Sequence, residues 1–194
     1  LWQFERNSVD IETKDVKWPR VMWDDTEDRR DGLHLGDLIR SLANRSGMGY
    51  KGKGFNDMEL TAEIGLLWED MLSRIMGDKY AHRPPQIQLD GIWMSPDGIG
   101  PDPEGEFHLA VEEYKATWSS SKRCPTENFR YMTQVKSYCH AVGTRCAIMR
   151  IFHIMGDYRG SGPLYRVSRI VFDEEELRIN WEMILGERDR ENER

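Results

Sequence analysis

The chain has 194 residues, enough for one domain with a real core and too few for two. No apolar run approaches membrane-spanning length, and charges throughout the first twenty residues leave no room for a signal peptide. Its net charge of -7 excludes a generally basic nucleic-acid binder, but the acidity is local: Asp173–Arg194 holds nine acids and four arginines, and Trp23–Asp31 holds five acids and two arginines. Polyanionic substrates are therefore permitted. Cys124, Cys139 and Cys146 are three in number and fit neither a zinc spacing nor an iron–sulfur cluster, so they read as reduced thiols of a cytoplasmic protein.

Residues 1–31 show no clean period and read as an extended arm or irregular cover. Leu35, Leu38, Ile39 and Leu42 then fall at helical spacing. From Asn44 to Phe55 the chain is glycine-rich and basic. It suits either a solvated loop or a clamp on a phosphate backbone, with Arg45, Lys51 and Lys53 for charge and Tyr50 for stacking. Asn56 and Glu59 resemble a capping box. The helix that follows, to about Met76, is expected to bury Leu60, Ile64, Leu67, Met71 and Ile75. Gly65 in that helix suggests a close backbone approach, and Glu69 lies one turn on from it.

Ile87 to Met94 is an apolar-rich strand interrupted by Asp90-Gly91, a hairpin or bulge signal. Next comes Ser95-Pro96-Asp97-Gly98, an acid at a turn. A glycine- and proline-rich connection carrying Asp102, Glu104 and Glu106 leads to a strand containing Glu113 and Lys115. Side chains two apart on a strand share a face, so these two point the same way with Leu109 and Val111, while Glu112 points to the other face. A carboxylate and an ammonium on an apolar face are costly unless paired or metal-bound. With Asp97, two acids and a lysine would suit a divalent cation and a water molecule. Asp90 is a rival for the turn acid.

Beyond a polar loop containing Lys122 and Arg123, a helix is expected from about Thr126 to Val142, closed by Gly143. Phe129, Met132, Val135, Cys139 and Val142 face inward; Gln134 and Tyr138 share another side with Arg130 and Tyr131. Strand patterns follow at Arg145–Met155 and Leu164–Phe172. Asp173 caps a last helix packed through Leu177, Trp181 and Ile184, and residues 188–194 read as a frayed tail. The histidines show no ligand or triad spacing. The expected fold is α/β: a mixed β-sheet flanked by helices in a single domain, with residues 1–55 as arm, helix and loop, 56–187 as core, and 188–194 as tail.

Four motifs in order resemble the PD-(D/E)XK nuclease superfamily, more closely its RecB-like and lambda-exonuclease (YqaJ-like) branch. They are Gly65-Leu66-Leu67-Trp68-Glu69, Ser95-Pro96-Asp97-Gly98, Glu113-Tyr114-Lys115 and Gln134-Val135-Lys136-Ser137-Tyr138. Each alone is weak; their order and placement on helix, turn, strand and helix give the set its weight. The resemblance implies a restriction-endonuclease-like fold and metal-dependent hydrolysis of phosphodiester bonds, leaving a 5′-phosphate.

It further implies one or two Mg²⁺ or Mn²⁺ ions held by Asp97, Glu113 and the Tyr114 carbonyl, with Glu69 at a second position. Lys115 would orient or deprotonate the attacking water, its pKa lowered by the metal. Gln134 and Tyr138 would position a water or the scissile phosphate. Arg45, Lys51, Lys53, Lys122, Arg123 and Arg130 are the candidate nucleic-acid contacts. The setting it suggests is an exonuclease on linear DNA, with RNA as the other substrate, in recombination, repair or phage replication in the host cytoplasm. It further suggests a homo-oligomer with a single-strand annealing or recombination partner. The alternatives are a non-cleaving accessory module that keeps the fold and a packaging component with an incidental cation site.

Overall fold

The computed structural model describes residues 30–48, 58–160 and 162–193. Every element lies in the unit Asp31–Arg194. In chain order these are β1 (Leu33–His34), α1 (Leu35–Arg45), α2 (Met58–Tyr80), β2 (Ile87–Leu89), β3 (Ile92–Met94), β4 (Gly98–Gly100) and β5 (Ala110–Thr117). A 3₁₀ turn (Pro125–Glu127), α3 (Phe129–Val142), β6 (Cys146–His153), β7 (Leu164–Val171) and α4 (Glu174–Asn192) complete it. The main sheet has the order β4-β5-β6-β7 and a small second sheet the order β1-β3-β2. β5 and β6 are parallel, with α3 as their crossover, and the other pairs of the main sheet are antiparallel. The expected mixed α/β architecture is present. Among the described residues no helix is long and apolar enough to cross a membrane.

One face of the main sheet presents Val111, Ala147, Met149 and Ile151 to the buried residues of α1, α3 and α4. α1 contributes Leu35, Leu38, Ile39 and Leu42; α3 contributes Met132, Val135, Tyr138 and Cys139; α4 contributes Leu177, Trp181 and Ile184. α1 packs on both α3 and α4. α3 starts at Phe129, not Thr126, because Asn128 caps it by accepting from Tyr131 N–H. It ends on Gly143 at φ 76°, the left-handed conformation the sequence anticipates.

Asp90-Gly91 forms the hairpin that its sequence signals: both residues have positive φ, at 51° and 79°, and they turn β2 into β3. Three expectations change. Residues 188–192 are not a frayed tail, because α4 runs on to Asn192 and Arg188 donates to the Asp90 carbonyl. Gly65 makes no close approach; a Cβ there would meet nothing within 4 Å. The buried face of α2 is rotated by one residue, so that Leu67, Met71 and Ile75 are exposed while Leu72 is buried. Trp68 explains the rotation. It stacks on Phe152 at 4.8 Å and meets Tyr165 edge-on at 5.7 Å, and an indole buries more apolar area than the leucine beside it. The Asn56 cap and the loop residues Tyr50, Lys51 and Lys53 lie outside the described residues.

Candidate active site

Asp97 owes its position to the crossing from β3 to β4. Gly98 must be glycine for space: a Cβ would lie 3.1 Å from Glu112 Cβ and 3.2 Å from the Tyr114 hydroxyl. This close approach sets Asp97 against the middle of β5, where its Oδ2 accepts from Tyr114 N–H at 2.7 Å. β4 stops pairing at Gly98 opposite Glu112. Beyond it, among the described residues, the Tyr114 backbone has no strand partner on that edge, and its carbonyl leaves on the same side as its N–H. Asp97 is 8% exposed and Glu113 is 0% exposed.

Glu113 Oε1 is ion-paired with Lys115 Nζ, while Oε2 is buried with no hydrogen-bond partner. Burial pushes the Glu113 carboxyl up to about 8, against the pull of Lys115 and with added repulsion from Asp97. Asp97 is raised by burial too, with Lys115, the Tyr114 N–H and Arg83 opposing. At Lys115 burial would favour the neutral amine, but Glu113, Asp97 and Glu69 together hold the ammonium well above its ordinary range. In this form three carboxylates stabilise the ammonium.

Glu69 reaches the group from α2, which packs on β5; its charge acts on both Glu113 and Lys115. From α3, Gln134 Nε2 donates to the Tyr138 hydroxyl at 2.9 Å. Tyr138 is buried, and burial followed by the fields of Glu113 and Asp97 raises its phenol. The structure thus brings Glu69, Asp97, Glu113, Tyr114, Lys115, Gln134 and Tyr138 to one place, from one turn, one strand and two helices.

The rival acids are elsewhere. Asp90 accepts from Trp181 Nε1 at 2.8 Å and serves as a hairpin anchor on α4. Asp102 accepts from Arg169 through both oxygens and from the N–H groups of Glu104, Glu106 and Phe107, while Glu104 and Glu106 also face Arg169. Glu112 does point to the opposite face of β5, where it is buried. Arg150 binds it bidentately at 2.6 and 2.9 Å.

The expected nucleic-acid contacts are spread out. Arg45 is ion-paired with the buried Glu187 of α4. Lys122 stands 3.9 Å from Asp157. Arg123 and Arg130 line a cavity beyond Lys115. Sequence reasoning missed Arg83, whose charge acts on Asp97. Its position follows from the antiparallel bridge of His82 with Ile99 of β4, a pairing with no local signal in the sequence.

The donor set suits a hard cation. It offers two carboxylates, a free carboxylate oxygen at Glu113 and a carbonyl edge at Tyr114, and no thiolate or imidazole. Among the described residues no three His, Cys, Asp or Glu side chains are arranged to hold a metal, and the Lys115 ammonium supplies the positive charge beside Glu113.

No family model and no curated relative matches the chain. Among solved structures it is similar to SSO0001, at 16% identity and TM-score 0.49 over 83% of this chain and 79% of that one. It is also similar to an alkaline exonuclease, LHK-Exo, from Laribacter hongkongensis, at 13% identity and TM-score 0.48 over 79% and 77%. The same exonuclease in complex with dAMP aligns at 14% identity and TM-score 0.49 over 84% and 90%. At such identities and TM-scores these likenesses carry no inference about activity.

Proposed function

We propose that the chain is a Mg²⁺- or Mn²⁺-dependent nuclease that hydrolyses DNA phosphodiester bonds, acting as an exonuclease on linear DNA. The observation that supports this best is the fully buried Glu113 carboxylate, half unpaired, within electrostatic reach of Asp97, Lys115 and Glu69. A purely structural acid in that position would be fully hydrogen-bonded, because an unmet buried acceptor costs about 1–3 kcal/mol.

Asp97, Glu113 and the Tyr114 carbonyl would hold the ion, with Glu69 at a second position. A bound divalent ion supplies a Lewis acid and a lowered water pKa. Lys115 would then exchange its contact with Glu113 for one with the attacking water, which it would orient as an ammonium or, after losing its own proton to solvent beside the ion, deprotonate. Gln134, fixed by Tyr138, would orient the phosphate or a water. Arg83 would add positive charge beside Asp97 for the substrate backbone.

The second reading is a non-cleaving DNA-binding module. The direct Glu113–Lys115 ion pair favours it, since that contact neutralises the carboxylate without a metal. Digestion of end-labelled linear duplex and closed circles, each with Mn²⁺ and with EDTA, separates the two. The proposal expects Mn²⁺-dependent loss of the linear form with circles spared. Lys115→Ala should lower the rate about 10²–10⁴-fold, the usual contribution of a proton-handling group. Intact linear DNA under every metal condition would favour the binding module.

A further inference from the structure

Two loops leave the main sheet where β5 and β6 end, just past Lys115. One covers residues 118–124 and the other residues 154–160. The fold ties them together. Ser121 N–H donates to the Gly156 carbonyl at 2.9 Å, and the Tyr158 hydroxyl donates to the Trp118 carbonyl. Arg166 of β7 donates to the carbonyls of Ser121 and Arg123. Bonds that run between the loops make the pair one fixed surface.

That surface is basic and carries an open ring. Lys122 stands 3.9 Å from Asp157, and the Arg159 N–H donates to the same carboxylate. Arg123 lines the cavity beyond Lys115 with Arg130 and Glu127. Among the described residues the guanidinium groups of Arg123, Arg130 and Arg159 have no carboxylate partner, in a chain of net charge -7. Tyr158 is 58% exposed and sits at φ 62°, a left-handed conformation that a bulky residue adopts only under strain. The same loop uses glycine at Gly156 and Gly160, both also at positive φ, so the turn alone does not call for an aromatic ring. An exposed ring beside unpaired cations supplies the two components of single-strand recognition, a face for a base and charge for the phosphates.

We infer that the paired loops bind a single-stranded segment of nucleic acid, with one base stacked on Tyr158 and the phosphates along Arg159, Lys122, Arg123 and Arg130. The inference rests on the nuclease reading, for which it names the form of strand held beside the carboxylates. Inside a duplex both faces of every base are covered by its neighbours, so the ring selects an unpaired segment. Glu113 and Thr117 are about 13 Å apart along β5, about four nucleotides at 3.4 Å each, so a strand of twelve spans the site and the loops.

Fluorescence anisotropy with labelled oligonucleotides in EDTA reads binding without cleavage. The wild type should bind a thymidylate dodecamer about tenfold more tightly than an abasic strand of the same length and charge. Tyr158→Gly removes the ring and relieves the backbone. It should bind the thymidylate strand as weakly as the wild type binds the abasic one. Tyr158→Phe keeps the ring without the bond to Trp118 and should bind as the wild type does. A blunt duplex of the same length should bind the wild type and Tyr158→Gly alike.

Equal wild-type affinity for the thymidylate and abasic strands, or no binding of the former, would overturn the inference, and that comparison needs no variant. So would an unchanged affinity in Tyr158→Gly, an equal loss on the duplex, or an equal loss in Tyr158→Phe, which would trace the effect to the hydroxyl. Mn²⁺-dependent cleavage of linear duplex by the same preparation reports on the nuclease reading separately, so either can fail alone.

Discussion

β5 carries two neighbouring buried glutamates, and their treatment differs. On one face Glu112 meets Arg150 in a bidentate pair at 2.6 and 2.9 Å, and the arginine also reaches the Tyr165 hydroxyl. On the other, Glu113 has Lys115 on one oxygen and nothing on the second. A planar guanidinium satisfies a carboxylate completely, whereas an ammonium is a point charge that leaves acceptors over. The first arrangement holds the sheet to itself. The second keeps an acceptor in reserve, beside another buried acid, and that reserve is what a cation would use.

The largest expected contrast comes from neutralising each acid. Glu113→Gln should reduce Mn²⁺-dependent cleavage by about 10³-fold or more while costing less stability than the change at Glu112, since Lys115 keeps the charges of Asp97 and Glu69 beside it. Glu112→Gln should cost about 3 kcal/mol of stability, the cost of stranding a buried partner charge, and a folded fraction with near-normal cleavage. Denaturant melts and rate assays on both variants check this. Equal losses of activity with no difference in stability would remove the distinction between the two faces.

Next in size is a pH effect. Burial raises the Glu113 carboxyl to about 8, above its unfolded value of 4.5. The folded state therefore holds the proton more tightly, and this contribution is present below pH 4.5 and lost as pH rises through about 8. Metal-free protein should lose stability over that window, and Glu113→Gln should flatten the slope. Asp102 is the opposite case. Its hydrogen bonds with Arg169, against a burial cost and aided by the Phe107 and Glu104 N–H groups, hold its carboxyl well below 3.8. Its contribution is present above that unfolded value and lost as pH falls below it, so Asp102→Asn should flatten the acid limb of the stability curve. Melts from pH 3 to 9 read both slopes, and a Glu113→Gln slope equal to the wild type would contradict the assignment.

The smallest effect concerns charge at the cavity. Neutralising Arg123 or Arg130 should lower the salt slope of DNA binding by about one each and leave the melting curve within about 0.5 kcal/mol. An unchanged slope would return both residues to the solvated surface.

What the sequence makes legible is local. Alternation on a strand puts Glu113 with Lys115 and sends Glu112 the other way. A left-handed glycine closes α3, and Ser95-Pro96-Asp97-Gly98 marks the turn acid. What it hides depends on partners distant in the chain. Arg150 meets Glu112 only because β5 and β6 run parallel in one register. Arg83 comes beside Asp97 through the single bridge of His82 to β4. The buried face of α2 is decided by Phe152 and Tyr165 receiving Trp68, which overrides the aliphatic stripe one residue away. α4 reads as a charged tail at its end, yet Glu187 is buried there, accepting from Ser41, Arg45 and Arg190.

Calorimetric titration of Mn²⁺ into the wild type, Asp97→Ala and Lys115→Ala addresses the site most directly. The account predicts binding to the wild type, near-normal binding to Lys115→Ala, and none detectable to Asp97→Ala. Normal affinity in Asp97→Ala, or no binding to the wild type, would contradict it.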